Sequence, residues 1–488
     1  MNDKYDVVII GSGIGGLICA CYLAKAKQSV LVIEQHNAPG GYCTSFSRGK
    51  YRFDVGVRYF AGIEKGTMGR ILDELSIKKT LGFRQFDPTD KIIDPDGVTY
   101  LRANPDDTII GLQKEFPCEK ENIRKLFRFM MDPDFLNIYS KVKKMSFAEV
   151  INSHFSDERL RFIMNSLIFC NNGLAADEVS AVFAIIIFRN YLLDPGYYLA
   201  GGVQSFPDAL VSMLRQYGGE LKLSTKVTRI ITKDSIVKGV ECEDGSVFDS
   251  DTVVANVDAT QVFTKLLDIK SREASVVNML EPSNSTFIAY IGLSCNISGH
   301  LSDQCGILYF SSHNVKDLRI PKKDYGPENA FMNGIICEFP SLHDPASGAS
   351  GNSSVTLAIQ APFKPGCEWE KMRKDFETRI IEKAEKEIFK FQFKKYIELA
   401  LTAIPDTLLR YTSNRAGALF GWASLRNQVN MSILPPRTTI EGLYLAGHWC
   451  TIGSGHGGVT GVALSGRKTA EIIMKQKSKD WGYAILKP

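Results

Sequence analysis

Cys-x-x-Cys pairs and zinc-ligand spacings are missing from this chain of 488 residues, although eleven cysteines are present. A disulfide framework and a structural metal site are thereby excluded, and a reducing, cytoplasmic location is expected. Long apolar runs are also missing: none approaches the roughly 18 residues that span a bilayer. The longest, residues 179–188 (VSAVFAIIIF), is bounded by Glu178 and Arg189 and reads as a buried helix or strand. The N-terminus has no basic segment followed by an apolar signal core, because the first apolar run serves as a strand. Charge of one sign is scarce too, with 58 basic against 54 acidic side chains and a net charge of +4. No nucleic-acid partner is expected on that balance, while peripheral contact with a membrane through a local basic patch stays open.

What the sequence does have is concentrated in its first forty-odd residues. Residues 5–10 (YDVVII) form a β-branched run, followed by Gly11, Gly13 and Gly16 at G-x-G-x-x-G spacing. Leu17 to Lys25 read as helix, residues 30–33 (VLVI) as a second strand, and Glu34 ends that strand. Gly11 permits the tight strand-to-helix turn, Gly13 lets backbone approach a pyrophosphate, and Gly16 lets helix and strand pack closely. Ile14 and Gly15 complete the loop at the helix N-terminus, where free N–H groups and the helix dipole favour phosphate. Glu34, with Gln35 beside it, is placed to accept hydrogen bonds from a ribose. Without the strand–helix–strand frame and the terminal acid, the same glycines would be an ordinary turn.

Further on come Gly40-Gly41, a polar loop, and a Phe53-Asp54-x-Gly56 turn. Together with the βαβ start, this pattern resembles the N-terminal signature of the phytoene desaturase superfamily of flavoproteins, which includes carotenoid isomerases and retinol saturases. Flavin amine oxidases and Rab GDP-dissociation inhibitors are its more distant relatives. The resemblance implies an FAD cofactor and an α/β fold: a Rossmann-like FAD-binding domain with a βαβ start, a β-meander and a C-terminal strand–helix, carrying an inserted α+β substrate domain. Tyr42-Cys43 depart from the basic or small residue that many members place after Gly-Gly.

Between the nucleotide motifs the chain reads as two insertions. Residues 61–195 are mostly helical, including the amphipathic 121–131 and the helical-looking 157–170, and would form a lid or substrate side. The nucleotide domain, 1–60, resumes at 196–264. An entry helix follows YYLAGG, and strands are expected at 221–231, 236–243 and 252–256, with an Asp244-Gly245 hairpin turn. The resemblance puts Val227 against the adenine, and Asn256 and Asp258 in the exit turn. Residues 265–400 carry strand-like runs at 286–295, 306–310, 331–339 and 353–360, then a charged helix at 368–390, and would form an antiparallel substrate sheet with a helical cover.

The nucleotide domain closes over 401–475. Here 442–467 (GLYLAGHWCTIGSGHGGVTGVALSGR) gives a strand, Gly447, a glycine-rich loop and a helix beginning near Val459. The resemblance makes this the flavin-ring motif, with Gly447, His448, Gly458 and Val459 at the cofactor and the helix N-terminus aimed at the ring. His448 stands where many relatives have Asp. There is no second βαβ fingerprint, which argues against a built-in NAD(P)H domain.

Flavin chemistry on a polyene asks little of side chains beyond orientation and a dry site. His448, His456 and Cys450 are the candidate catalytic groups, Cys450 also as a covalent flavin link; a lone His or Cys is as readily structural. Tyr198, Arg410, Tyr411 and Trp422 are candidates for the substrate pocket, though packing or a surface turn explains them equally. The resulting expectation is an FAD-dependent oxidoreductase that desaturates, saturates or isomerises an apolar polyene or isoprenoid. Its partners would be that substrate and an external electron acceptor or donor such as a quinone, oxygen or a reductase. The alternatives are a flavin amine oxidase acting on a soluble amine and a non-catalytic prenyl-binding escort.

Overall fold

The computed structural model describes all residues except 1–2, 321–324, 345–346, 348–350, 364–367, 429–432, 451–457 and 481–488. The nucleotide-binding motifs fold onto a five-stranded, all-parallel sheet. Its order is Glu220–Lys222, Val30–Ile33, Val7–Ile10, Val253–Ala255 and Leu443–Leu445. The Val7–Ile10 and Val30–Ile33 strands are buried at every position, the pattern of a sheet covered on both faces. Helix Ile14–Lys25 is buried nearly all round because it packs against the sheet, helix Ser205–Gln216 and the final helix, Val459–Asp480, which also bonds to the sheet through Thr469 and the Leu445 carbonyl. The contact with the final helix is close: a Cβ on Gly466 would lie 2.1 Å from the Gly15 carbonyl oxygen.

A meander of Val227–Lys233, Ile236–Cys242 and Val247–Asp249 is antiparallel, with Gly245 at positive φ in the expected hairpin turn. The expected strand over 221–231 is two strands in two sheets. Ser224, at φ +52°, breaks it, and the N–H groups of Ser224 and Thr225 bond instead to the carbonyls of His36 and Glu34, each at 2.9 Å. Residues 220–222 therefore extend the parallel sheet, and 227–233 begin the meander.

The second large sheet has seven strands in the order Ile397–Ala403, Ser285–Leu293, Ser353–Ala361, Ile335–Glu338, Gly306–Tyr309, Asp90–Asp94 and Gly97–Leu101. It departs from the expected purely antiparallel sheet of 265–400 in two respects. The Asp90–Leu101 hairpin, from the segment read as mostly helical, joins its edge by parallel pairing with Gly306–Tyr309. At the other edge, Ile397–Ala403 runs past residue 400. The charged helix, Trp369–Lys383, covers one face through Phe376, Ile380 and Ile381, while its ion pairs lie outside. Helices Glu158–Asn172 and Ala181–Leu193 build a separate apolar cluster; the run 179–188 is thus a buried helical segment.

Candidate active site

One continuous cavity of about 1460 Å³ joins the glycine-rich loop to the face of the seven-stranded sheet. Pockets for a single small ligand run to about 1,000 Å³, so this space has room for a dinucleotide with a second molecule beside it. Of the residues predicted for the cofactor, Gly11, Gly13, Ile14, Glu34, Gln35, Gly40, Gly41, Val227, Gly447, His448, Gly458 and Val459 all line it.

At the nucleotide end, Gly11 takes φ +92°, which makes the sharp turn from strand to helix that a side chain would resist. Glu34 is held on the loop: its Oε2 accepts the Ser12 N–H and hydroxyl, both at 2.8 Å, and its Oε1 accepts the His36 N–H at 2.9 Å. A carboxylate offers about four acceptor sites, so capacity remains for a ribose hydroxyl. Gly15 and Gly16, named with the cofactor loop, are absent from the cavity lining, and Gly16 makes the close helix–strand packing expected of it. A Cβ on Gly15 would lie 2.9 Å from Gly447 Cα, and one on Gly16 2.4 Å from the Gly11 carbonyl oxygen.

The residue that organises this loop is Asn256, which sequence reasoning placed only in an exit turn. Its amide Nδ2 donates to the carbonyls of Gly11 and Gly13 at 3.2 and 3.3 Å. Cβ atoms added at Gly13, Gly15, Gly16 and Gly447 would each come within 3.0 Å of the Asn256 side chain. Four glycines from two distant segments are thus small because one amide fills the space between them. That signal was readable only as an asparagine at the end of a parallel strand.

At the ring end, Tyr42, Cys43, residues 55–57, Ala446, Gly447, His448 and the start of the final helix share the wall. The Thr460 hydroxyl bonds to the Ala61 carbonyl at 3.3 Å, tying that helix start to the 55–61 segment. Asp54, from the predicted turn, is buried. It accepts hydrogen bonds from the Tyr198 hydroxyl, the Ser45 hydroxyl at 2.5 Å and the Val203 N–H at 3.2 Å. Burial pushes its carboxyl above the usual range, against the pull of those bonds. Tyr198 lines the cavity with its ring beside His343, whose imidazole is driven down to about 4 by burial and is neutral at physiological pH.

Four expectations need correction or limits. Cys450 is fully buried and does not line the cavity; its thiol contacts the Gly447 carbonyl at 3.3 Å and the Ser465 hydroxyl at 2.9 Å. Trp422 is likewise a core residue behind the wall, its indole N–H bonded to the Trp449 carbonyl at 2.8 Å. Arg410 and Tyr411 line the cavity, but at the nucleotide end: Tyr411 packs edge-on against His36 at 5.8 Å, and Gln35 reaches Ser413. His456 lies outside the described residues. Because Cys450 faces protein, flavin should be released into the supernatant on acid precipitation of both the wild type and Cys450→Ala. Flavin retained in the wild-type pellet alone would contradict this placement.

The substrate side is walled by two surfaces. Helix Ala181–Leu193 presents Phe183, Ile186, Ile187 and Asn190, one face at helical spacing. The sheet presents Thr286, Ile288 and Tyr290 with Thr356, Ala358 and Gln360 and with Ile336 and Glu338. Sequence reasoning missed the charged group here: Arg58 Nη2 bonds to Asp90 at 2.5 Å, its Nε bonds to Glu338, and the Tyr59 hydroxyl donates to Asp90 at 2.6 Å. Burial, with Asp90 nearby and against the pull of Arg58, raises the Glu338 carboxyl from 4.5 to about 7. A raised carboxyl pKa costs the folded state stability as pH climbs from the unfolded to the folded value. Glu338→Gln should therefore gain stability relative to wild type between about pH 4.5 and 7. Above that the gain should level off, as read by chemical unfolding across the range.

The fit to FAD rests on this chain's own geometry: a glycine turn, an acid held at the second strand's end, and a helix N-terminus lining the far end of the same cavity. Comparison with known proteins agrees. The chain matches the model of flavin containing amine oxidoreductases over residues 14–294. It is 26% identical to prolycopene isomerase 1 of an Oncidium hybrid cultivar, over 99% of this chain and 87% of that protein. It is 24% identical to all-trans-retinol 13,14-reductase of Danio rerio, over 95% of this chain and 86% of that protein. Among solved structures, an oxidoreductase from Methanosarcina mazei superposes with a TM-score of 0.68 at 18% identity, covering 96% of this chain and all of that one. Among the described residues no helix is long and apolar enough to cross a membrane. FAD is the cofactor of this site, and the chain belongs to the flavin containing amine oxidoreductase family.

Proposed function

We propose that the protein is an FAD-dependent enzyme acting on the carbon–carbon double bonds, or adjacent CH–CH bonds, of an apolar polyene or isoprenoid. The observation that supports this most directly is the sheet face of the cavity. Its central cross-strand row is Ile336, Ala358, Ile288 and Ala403, an aliphatic strip inside the space that also reaches the helix start at Val459. Bound FAD supplies redox chemistry at its ring; the chain's residues supply orientation and a dry wall. Phe183, Ile186 and Ile187 add apolar side chains to the same cavity, suited to an apolar chain. His343 is neutral and stacked on Phe86 at 3.9 Å, so it adds no charge to that wall.

Similarity both to an isomerase and to a reductase leaves desaturation, saturation and isomerisation as forms of the same reading. The external electron partner and peripheral membrane contact belong to it as proposals. The test is to offer a polyene to the holoenzyme anaerobically, with and without prior reduction, then extract it and determine its mass and isomer. A change of two hydrogens, or a new isomer of unchanged mass, supports the proposal. An unchanged polyene alongside oxidation of a soluble amine would replace it with the amine oxidase reading.

A further inference from the structure

The substrate wall carries more charge than a hydrocarbon ligand needs. Strand register arranges the cavity-facing side chains in cross-strand rows, about 7 Å apart for successive same-face positions. Glu338, Thr356, Tyr290 and Leu401 form one row, and Ile336, Ala358, Ile288 and Ala403 the next. Gln360 and Thr286 form a third. The aliphatic strip is therefore bordered on each side by polar groups. On one side is Gln360, only 3% exposed, with no hydrogen-bond partner at its Oε1. On the other is Glu338.

Glu338 is a second carboxylate on a guanidinium that already has one. Asp90 pairs with Arg58 and takes the Tyr59 hydroxyl as well, so the Arg58 charge is balanced without Glu338. Among the described residues Arg58 alone bonds the Glu338 carboxylate, through Oε1. The fold makes room for this arrangement: a Cβ on Gly306 would stand 3.1 Å from Arg58 Nη2, Asp90 Oδ1 and Glu338 Oε1 alike. A cross-link between segments would be served by Arg58 and Asp90 alone, and buried ion pairs are in any case no better for stability than apolar packing. A surplus carboxyl facing a largely apolar cavity is desolvated at a cost until a ligand group meets it. The rise of its pKa is that cost expressed as proton binding.

We propose that Glu338, held by Arg58, is a recognition site for a hydroxyl group on the otherwise apolar substrate. This rests on the polyene reading above and adds that the substrate is an alcohol rather than a plain hydrocarbon. A hydroxyl suits either state of the carboxyl, donating to it when ionised and accepting from it when protonated. A substrate ammonium does not suit the site, because the Arg58 guanidinium already bonds the same carboxylate and like charges repel strongly in a poorly solvated space.

The test compares three polyenes of one skeleton, ending in a methyl, a hydroxyl or a primary amine, on holoenzyme of the wild type, Glu338→Gln and Glu338→Leu. A hydrogen bond to a buried carboxyl corresponds to a preference of about tenfold or more. The wild type should favour the alcohol over the hydrocarbon in kcat/KM by that margin, expressed mainly in KM. Glu338→Leu should bring the ratio near one, and Glu338→Gln should keep most of the preference. Flavin absorbance reports whether each variant still folds around FAD; should the leucine variant lose it, the wild-type ratio and the glutamine variant still decide. Equal conversion of alcohol and hydrocarbon by the wild type, an unchanged ratio in Glu338→Leu, or a preference for the amine overturns the assignment. If none of the three polyenes is bound or converted by yellow enzyme, the polyene reading itself falls, and this inference with it.

Discussion

Asn256→Leu will weaken FAD binding by about ten- to a hundredfold, since the Gly11 carbonyl loses its side-chain donor, at about 1–3 kcal/mol for an unsatisfied group with each 1.4 kcal/mol tenfold, while the Gly13 carbonyl keeps only the Leu17 N–H at 3.0 Å. Asn256 Nδ2 holds both carbonyls in the conformation that aims the loop at the cofactor. Leucine matches asparagine in size but offers no hydrogen, and its branched end would stand against Gly15 and Gly447, where even an added Cβ would lie 2.8 and 2.5 Å from the present amide oxygen. Titration of the apoprotein with FAD, followed by flavin fluorescence quenching, measures the loss directly. Unchanged affinity would mean that the glycine loop holds its shape without the amide. The backbone bond that Asn256 gives the sheet, from its N–H to the Ile10 carbonyl at 2.9 Å, is kept by leucine, so the variant should still fold.

Asp54→Ala will cost both stability and cofactor. The carboxyl gathers the Tyr198 hydroxyl, the Ser45 hydroxyl and the Val203 N–H, tying the 45–54 segment to the 198–203 segment beside the cavity. With three buried donors left without an acceptor, at about 1–3 kcal/mol each, the loss is about 3 kcal/mol or more. Asp54→Asn keeps an acceptor oxygen and should recover most of it. Chemical unfolding of the three proteins, with flavin content measured on the same samples, tests the ordering wild type, Asn, Ala. Equal stability of the alanine variant would show that water replaces the carboxylate.

How much of this was legible in the sequence follows from the range of the interactions involved. The glycine loop and the acid after the second strand were readable because local spacing and a turn requirement specify them, while Gly40-Gly41 and the cofactor role of the helix beginning near Val459 were readable through the resemblance to a flavoprotein superfamily. The same holds for the core strands of the second sheet, whose β-branched runs stand out. What was not legible depends on pairing between distant segments. The Asp90–Leu101 hairpin joins that sheet only through Gly306–Tyr309, and nothing local marks it as an edge of a sheet formed two hundred or so residues later. Arg58, Asp90 and Glu338 come from three such segments and meet only in the fold. Trp422 and Cys450 were misplaced for a different reason: an aromatic ring or a thiol beside a cofactor motif has the same sequence signature whether it faces the cavity or the core behind it.

The most direct test of the central claim is the anaerobic conversion of a polyene by the purified holoenzyme, followed by mass and isomer analysis. An FAD site opening onto an aliphatic sheet face predicts a polyene changed by two hydrogens or recovered as a different geometric isomer. Recovery of the polyene unchanged, from enzyme whose flavin is turned over by a soluble amine, would contradict it.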